Sequence, residues 1–160
     1  MGREVSQEEE ITKYLKTLFA TGFLLGYSPV APGTFSCFIG ILIWYLLHNS
    51  NIIYIGVASA LFIIGVIVAG DFENRWGKDP RRVVIDEYAC ILLPLYFTPL
   101  RVAPLAITFF LFRIIDIAKP PPLKAVEKIQ GGWGIMLDDL LAAVYTTMII
   151  IILKFAGIFY

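Results

Sequence analysis

Three observations predict that this chain is an all-α integral membrane bundle: its composition, its long uncharged runs and its lack of strand-like alternation. Hydrophobic residues make up 58% of the 160 residues and charged residues only 16%, whereas about 25% of the residues of a soluble domain are charged. Apolar runs and polar breaks follow one another without the regular alternation of half-buried strands. A chain of this length is expected to form a single domain, over residues 1–160.

The first element is predicted to be an amphipathic helix over residues 8–25. Acidic residues from Glu8 to Glu10 suit the first turn of a helix, and apolar residues recur at helical spacing from Ile11 to Phe23. A helix lying on the membrane surface and an ordinary packing helix explain this pattern equally well. The stretch "YSPVAPGTFS" then breaks the helix with its prolines and glycine.

About five membrane spans are predicted from the apolar runs that follow, since a span needs about 20 residues and only one run reaches that length by itself. The shorter runs span more easily if adjoining charged residues continue each helix and face inward. The runs are residues 35–47, 52–70, 88–100, 102–112 and 140–153.

The charge distribution predicts the orientation of these spans. Most lysines and arginines fall in segments that alternate runs place on one side, which the positive-inside tendency makes cytoplasmic. The other side holds the break at residues 48–51, Arg101 and Lys154. The N-terminus is then internal and the C-terminus external. The formal net charge is zero, no nucleic-acid partner is expected, and the sequence leaves the oligomeric state open.

Two acidic pairs are expected to meet at the cytoplasmic helix ends. Asp86 and Glu87 open one apolar run, and Asp138 and Asp139 open another. Capping of a helix N-terminus is the ordinary explanation of each pair. Packed together, however, four carboxylates repel one another unless a cation lies between them. Because carboxylate oxygens suit Mg²⁺ or Mn²⁺, these four residues are the predicted metal ligands.

Basic residues near the same ends predict a phosphate site. Arg113 and Asp116 share a helix face, so they form either a salt bridge or part of a site in which the arginine fork grips a phosphate. Lys119 adds a point charge. Thr34 follows Gly33 at the start of an apolar helix, where it either caps the helix or contacts an anion. Metal, bases and membrane boundary together indicate a phosphorylated lipid head group.

Other polar residues are weaker candidates. Glu73 and Asp79 are expected to be solvated in a polar loop. Cys37 and Cys90 lie inside apolar runs, where they are interpreted as small buried hydrophobic residues. His48 lies in a polar break on the opposite side. Attack by water on phosphorus is therefore expected, rather than by a cysteine or histidine nucleophile.

Four blocks of the sequence resemble, in order, the motif blocks of the phosphatidylglycerophosphatase A family: "SPVAPGTFS", "DPRRVVIDE", "FRIIDIAKPPPL" and "GGWGIMLDDLLA". They extend over residues 28–143. The resemblance implies a Mg²⁺-dependent enzyme of the bacterial inner membrane that removes the phosphate monoester from phosphatidylglycerophosphate in phospholipid biosynthesis. The catalytic and substrate-binding residues that it implies are Thr34, Asp86, Glu87, Arg113, Asp116, Lys119, Asp138 and Asp139.

Alternatives to this function are a membrane protein that transports cations or protons and a membrane scaffold. A transporter is expected to keep its acids near the middle of its spans, whereas these acids lie at run ends on one side. The glycine-, alanine- and arginine-containing aspartate pattern of CDP-alcohol phosphotransferases is absent. An aspartyl-phosphate intermediate is the less favoured route, since the motif Asp-x-Asp-x-Thr is also absent.

Overall fold

The computed structural model describes residues 7–78, 80–126 and 128–159, and every regular element in this part of the chain is helical. Asp79 lies outside the described residues. The predicted all-α class is confirmed. In chain order the α-helices are α1 Gln7–Ala20, α2 Pro32–Leu47, α3 Asn51–Trp76, α4 Ile85–Cys90, α5 Leu92–Phe97, α6 Val102–Ala118, α7 Leu123–Val126 and α8 Gly132–Phe155, with a 3-10 turn at Leu25–Tyr27.

Polar residues extend the apolar runs as helix at the end where the site lies. Helix α3 continues beyond residue 70 to Trp76, α6 continues beyond residue 112 to Ala118, and α8 begins at Gly132, before its two aspartates. Charged side chains thus lie on the same helices as the apolar runs. From the sequence, adjoining charged residues are expected to continue the helices in this way. Their positions are therefore fixed by helix packing rather than by loops.

The run at residues 88–100 forms two short helices instead of one. Its break lies at Ile91, between α4 and α5. Pro94 has no N–H to give the carbonyl of Cys90, and its ring crowds that carbonyl. Tyr54 of α3 donates a hydrogen bond to the carbonyl of Leu92 at 2.6 Å, which satisfies a backbone group next to the break. Both short helices are buried against α2, α3 and α8.

Helix α8 is central in the packing and contacts α3, α4, α5, α6 and α7. Small residues such as Ala142, Ala143 and Thr146 are fully buried along it and allow close approach of its neighbours. Gly132 begins the helix directly against α3, where an added Cβ would lie 1.8 Å from the carbonyl oxygen of Val66. Only glycine therefore fits at this crossing.

Large apolar side chains face outward on several helices. Ile52 of α3, Val102 of α6 and Phe155 of α8 are each more than four-fifths exposed, and continuous exposed apolar surface marks an interaction with lipid or protein. Among the described residues, α3 and α8 are the helices long and apolar enough to cross a membrane. The count of about five spans stays a prediction.

Helix α1 is shorter than predicted, because it ends at Ala20. Phe23, which the helical period included, lies after the helix end with a positive φ of 52°. Ile11 and Leu15 are about half exposed. An ion pair between Lys16 and Asp71 attaches α1 to α3. The exposed apolar face fits a helix on a membrane surface better than a helix packed on both sides.

Replacing Gly132 by Ala is predicted to separate α8 from α3, because the new methyl group collides with the Val66 carbonyl. Forced overpacking costs about 1–3 kcal/mol, so the thermal transition of the purified protein in detergent moves down. Gly56→Ala in α3 is the control, since nothing lies within 4 Å of its added Cβ. This change gains about 0.5–1 kcal/mol from helix propensity. Equal thermal transition temperatures for the two variants would contradict the close contact between Gly132 and the Val66 carbonyl.

Candidate functional site

A cavity of about 330 Å³, lined in part by charged side chains, lies where α2, α4 and α8 begin and α3 and α6 end. Helix packing brings residues from distant parts of the sequence to this one place. All of the predicted site residues line the cavity: Thr34, Asp86, Glu87, Arg113, Asp116, Lys119, Asp138 and Asp139.

Three carboxylates form the inner part of the cavity. Asp86 and Glu87 of α4 and Asp139 of α8 each offer an oxygen atom, and these atoms lie within 4.8 Å of one another. One oxygen each of Glu87 (Oε2) and Asp139 (Oδ2) is buried without a hydrogen-bond partner. Such oxygens are the ligands that hard divalent cations take. The three residues therefore fit Mg²⁺.

The electrostatics of Glu87 agree with a cation-binding role. Loss of hydration raises the pKa of Glu87 to about 8, and the neighbouring carboxylate of Asp139 contributes in the same direction. Arg113 acts in the opposite direction. A positive ion between the carboxylates would favour the ionised form of each one. Without such an ion, the cavity holds like charges close together at a cost.

Asp138 has a different partner from its neighbour Asp139. Its Oδ2 lies 2.5 Å from Nζ of Lys119, and successive residues of a helix point about 100° apart. The four predicted metal ligands thus divide into a group of three and one acid paired with a lysine. Capping does not explain Asp138 and Asp139, because α8 begins at Gly132, well before them.

Arg113 connects α6 to the carboxylate group. Its Nη1 donates to Oδ2 of Asp116 at 2.7 Å and lies 3.8 Å from Oε1 of Glu87. The predicted salt bridge between Arg113 and Asp116 is therefore present. Its Nε is buried without a hydrogen-bond partner. Asp116 thus orients the guanidinium at the cavity wall while donor capacity remains for an anion.

The start of α2 closes another wall of the cavity. A Cβ added at Gly33 would lie 1.8 Å from Oε1 of Glu87, so glycine allows the helix start to lie against this carboxylate. Ala31, with a left-handed φ of 44°, occupies the N-cap position. Thr34 lies in the first turn and is not the capping residue. First-turn N–H groups have no acceptor within the helix and can receive an anion.

Sequence reasoning missed three cavity residues. Lys78 and Arg81 line the cavity, although the sequence suggested only their part in the positive-inside pattern. Glu73 was expected in a solvated loop, and this expectation was wrong: Glu73 belongs to α3, and its Oε2 is buried without a hydrogen-bond partner. The sequence did contain one signal for Arg81, because Arg81 and Asp86 belong to the same block, "DPRRVVIDE".

The residues discounted as nucleophiles are not among those that line the cavity. Cys37 and Cys90 are both buried, at 0% and 2% exposure, as predicted from their apolar runs. Cys90 donates to the carbonyl of Met136 at a sulfur–oxygen distance of 3.6 Å. His48 lies at the opposite end of α2 and lines a separate pocket with Trp44 and Lys154.

Comparison with known proteins gives a consistent family assignment. The family model described as phosphatidylglycerophosphatase A matches residues 18–154. Two curated proteins of that name are similar: the one from Escherichia coli K12 is 32% identical over 83% of this chain and 80% of its own length. The one from Haemophilus influenzae is 30% identical over 86% of this chain and 88% of its own length.

A further relative has a different name. A protein of Bacteroides thetaiotaomicron, described as a candidate phosphatidylinositol-3-phosphatase, is 35% identical over 88% of this chain and 94% of its own length. No solved structure matches the chain significantly. The family model, over residues 18–154, thus includes the helices that contribute to the cavity.

Because Asp139 belongs to the carboxylate group and Asp138 pairs with Lys119, substitutions at these two adjacent residues are predicted to differ in their effect on metal binding. Asp139→Asn removes one of the three grouped carboxylates and should weaken Mn²⁺ binding by about tenfold or more, which is about 1.4 kcal/mol. Asp138→Asn releases Lys119 and should change Mn²⁺ affinity by less than about threefold, a shift of under about 0.7 kcal/mol. Titration of the purified protein, followed by electron paramagnetic resonance, measures both. Equal losses, or the reverse order, would contradict the division.

Proposed function

The chain belongs to the phosphatidylglycerophosphatase A family, and on this premise we propose that it hydrolyses phosphatidylglycerophosphate to phosphatidylglycerol and inorganic phosphate. The observation that carries the proposal is the cavity itself. Three grouped carboxylates stand beside Arg113 and Lys119, at the ends of apolar helices. A phosphate monoester on a lipid needs anion-binding groups, a charge-neutralising cation and a position near the membrane surface, and this cavity supplies groups suited to all three.

Asp86, Glu87 and Asp139 are the proposed Mg²⁺ ligands, because their oxygens are close together and two of them have unused acceptor capacity. When bound, the ion supplies charge neutralisation of the phosphate and lowers the pKa of a coordinated water. Asp138 is not needed in this set, since it already pairs with Lys119.

The chain's own side chains provide the remaining chemistry. Arg113, oriented by Asp116, and Lys119, oriented by Asp138, would hold the non-bridging oxygens of the phosphate and stabilise the charge that develops on them. One inner carboxylate would position a water molecule in line with the ester bond. The water oxygen bonds to phosphorus and the bond from phosphorus to the lipid oxygen breaks. One proton of the attacking water would pass through the positioning carboxylate to the departing alkoxide, and the other stays on the phosphate.

Attack by an aspartate, with a covalent aspartyl phosphate, is the alternative route. The two routes differ in stereochemistry, because one displacement inverts a chiral phosphorus and two displacements retain its configuration. Transport and scaffolding, by contrast, gain no support from the described residues. The acids that line the cavity lie with basic residues at one end of the helices. A transport path would instead need acids near the middle of the spans.

The proposed setting is the bacterial inner membrane, with about five spans and the cavity facing the cytoplasm. The apolar lengths of α3 and α8 and the exposed apolar faces of α2 and α6 support membrane insertion. The ends of α3 and α6 and the starts of α2, α4 and α8 meet at one cavity, as alternating crossings require. Helix α1 would lie on the cytoplasmic surface.

Phosphate release from phosphatidylglycerophosphate by the purified protein is predicted to require Mg²⁺. Chelation should remove nearly all turnover, and added Mg²⁺ should restore it. Asp139→Asn should lower kcat/KM by about a hundredfold or more, the effect of about 2.7 kcal/mol of lost transition-state stabilisation. Phosphatidylinositol 3-phosphate is the comparison substrate, since one relative is named for it. Absence of phosphate release from phosphatidylglycerophosphate, or turnover indifferent to chelation, would overturn the proposal.

The orientation predicts opposite labelling of two introduced cysteines. In a background with Cys37 and Cys90 replaced by Ala, Asn49→Cys should react with an impermeant thiol reagent in intact cells, because it lies in the external break. Lys124→Cys should react only after the cells are opened. Lys124 is exposed on the protein, so its protection would come from the membrane. Labelling of Lys124→Cys in intact cells would reverse the orientation.

A further inference from the structure

The basic residues of the cavity differ in their partners. Arg113 and Lys119 each have a carboxylate within ion-pair distance. Lys78 and Arg81 lie in the segment between α3 and α4, line the same cavity and are exposed. In the part of the chain that the structure describes, no carboxylate forms an ion pair with either residue. As far as the described residues extend, Lys78 and Arg81 thus offer two positive charges at the cavity to an external anion.

We propose that Lys78 and Arg81 form a second anion subsite, which binds the phosphodiester of the lipid head group while the inner site takes the phosphate monoester. This inference rests on the proposed function and specifies how that function selects its substrate. The subsite would distinguish head groups that carry both a diester and a monoester from lipids that carry a monoester alone.

Arg81 and its neighbour Arg82 face different surroundings, which argues against a general coat of positive charge. The Arg82 guanidinium lies 5.2 Å from the ring centre of Tyr27 and 5.9 Å from that of Trp76. Arg82 thus covers aromatic rings, whereas Arg81 lines the cavity. The planar fork of an arginine matches the two non-bridging oxygens of a phosphodiester, and Lys78 adds a flexible point charge.

The substrates named for the relatives share the chemistry that such a subsite requires. Phosphatidylglycerophosphate and a phosphatidylinositol 3-phosphate each carry a phosphodiester and, beyond a polyol unit, a phosphate monoester. The basic residues of both anion sites line one cavity of about 330 Å³. Glu73, with its buried and unpartnered Oε2, can accept a hydrogen bond from a polyol hydroxyl. Binding of the diester would position the monoester for reaction.

Short-chain phosphatidylglycerol is the direct probe, because it keeps the diester and lacks the monoester. Its binding to the purified protein in non-ionic detergent is measured by calorimetry for wild type, the double variant Lys78→Gln/Arg81→Gln and the control Arg82→Gln. The double variant should bind about tenfold more weakly or worse, as expected for the loss of charge-assisted hydrogen bonds. The control Arg82→Gln removes the same type of charge without touching the subsite. Its dissociation constant for phosphatidylglycerol should therefore stay within about twofold of the wild-type value.

Inhibition of phosphatidylglycerophosphate hydrolysis by inorganic phosphate is the second readout, since phosphate occupies the monoester site. The double variant should keep the wild-type inhibition constant for phosphate while its KM for the lipid rises. Equal weakening of phosphatidylglycerol binding in the double variant and in Arg82→Gln would overturn the subsite, as would unchanged binding in both. The binding measurement needs no turnover, so an inactive wild type would count against the proposed function and not against the subsite.

Discussion

Mutual repulsion of carboxylates in a sheltered cavity is the constraint on which the rest of this structure depends. Asp86, Glu87 and Asp139 lie within 4.8 Å of one another. At that separation two unit charges repel by about 3.5 kcal/mol for an effective dielectric constant of about 20. Three such pairs together cost about 10 kcal/mol, which is comparable to the whole folding stability of a small protein. Either a proton or a compensating positive charge must therefore relieve the repulsion, and the raised pKa of Glu87 reflects the first of these.

The cations of the chain compensate only part of this charge. The cavity is lined by six acids and four bases. The acids are Glu73, Asp86, Glu87, Asp116, Asp138 and Asp139, and the bases are Lys78, Arg81, Arg113 and Lys119. With all groups ionised, six negative and four positive charges leave an excess of two negative charges. A phosphate monoester adds further negative charge, so a divalent cation is the natural complement of both protein and substrate.

Two glycines and a proline near the acids determine where the acids lie. Gly33 lets the start of α2 lie against Glu87, and Gly132 lets α8 cross α3 at the carbonyl of Val66. Pro94 interrupts the run after α4, so the acids of α4 belong to a short buried helix rather than to a long rod. The geometry of the site thus depends on these glycines and this proline as well as on the acids.

The sequence was sufficient to predict the helical class and the convergence of the polar motifs on one cavity. The helical class follows from composition, and the convergence follows from the order of apolar runs and polar breaks. The sequence could not distinguish the role of Asp138 from that of Asp139. Adjacent residues on a helix face different neighbours, and the phase of α8 is set by packing against α3 and α6 rather than by its own residues. Lys78 and Arg81 were missed for a related reason, since only the folded chain shows which loop cations face the cavity.

The proposed site holds a divalent ion between Asp86, Glu87 and Asp139, where the ion would contact the phosphoryl group of the substrate. Pulsed electron paramagnetic resonance of the Mn²⁺-loaded protein with a non-hydrolysable phosphonate analogue of phosphatidylglycerophosphate measures that contact through the ³¹P hyperfine coupling. A resolved coupling is expected in the wild type, and its loss is expected in Asp139→Asn. Bound Mn²⁺ without ³¹P coupling at saturating analogue, or a coupling that persists in Asp139→Asn, would contradict the proposed site.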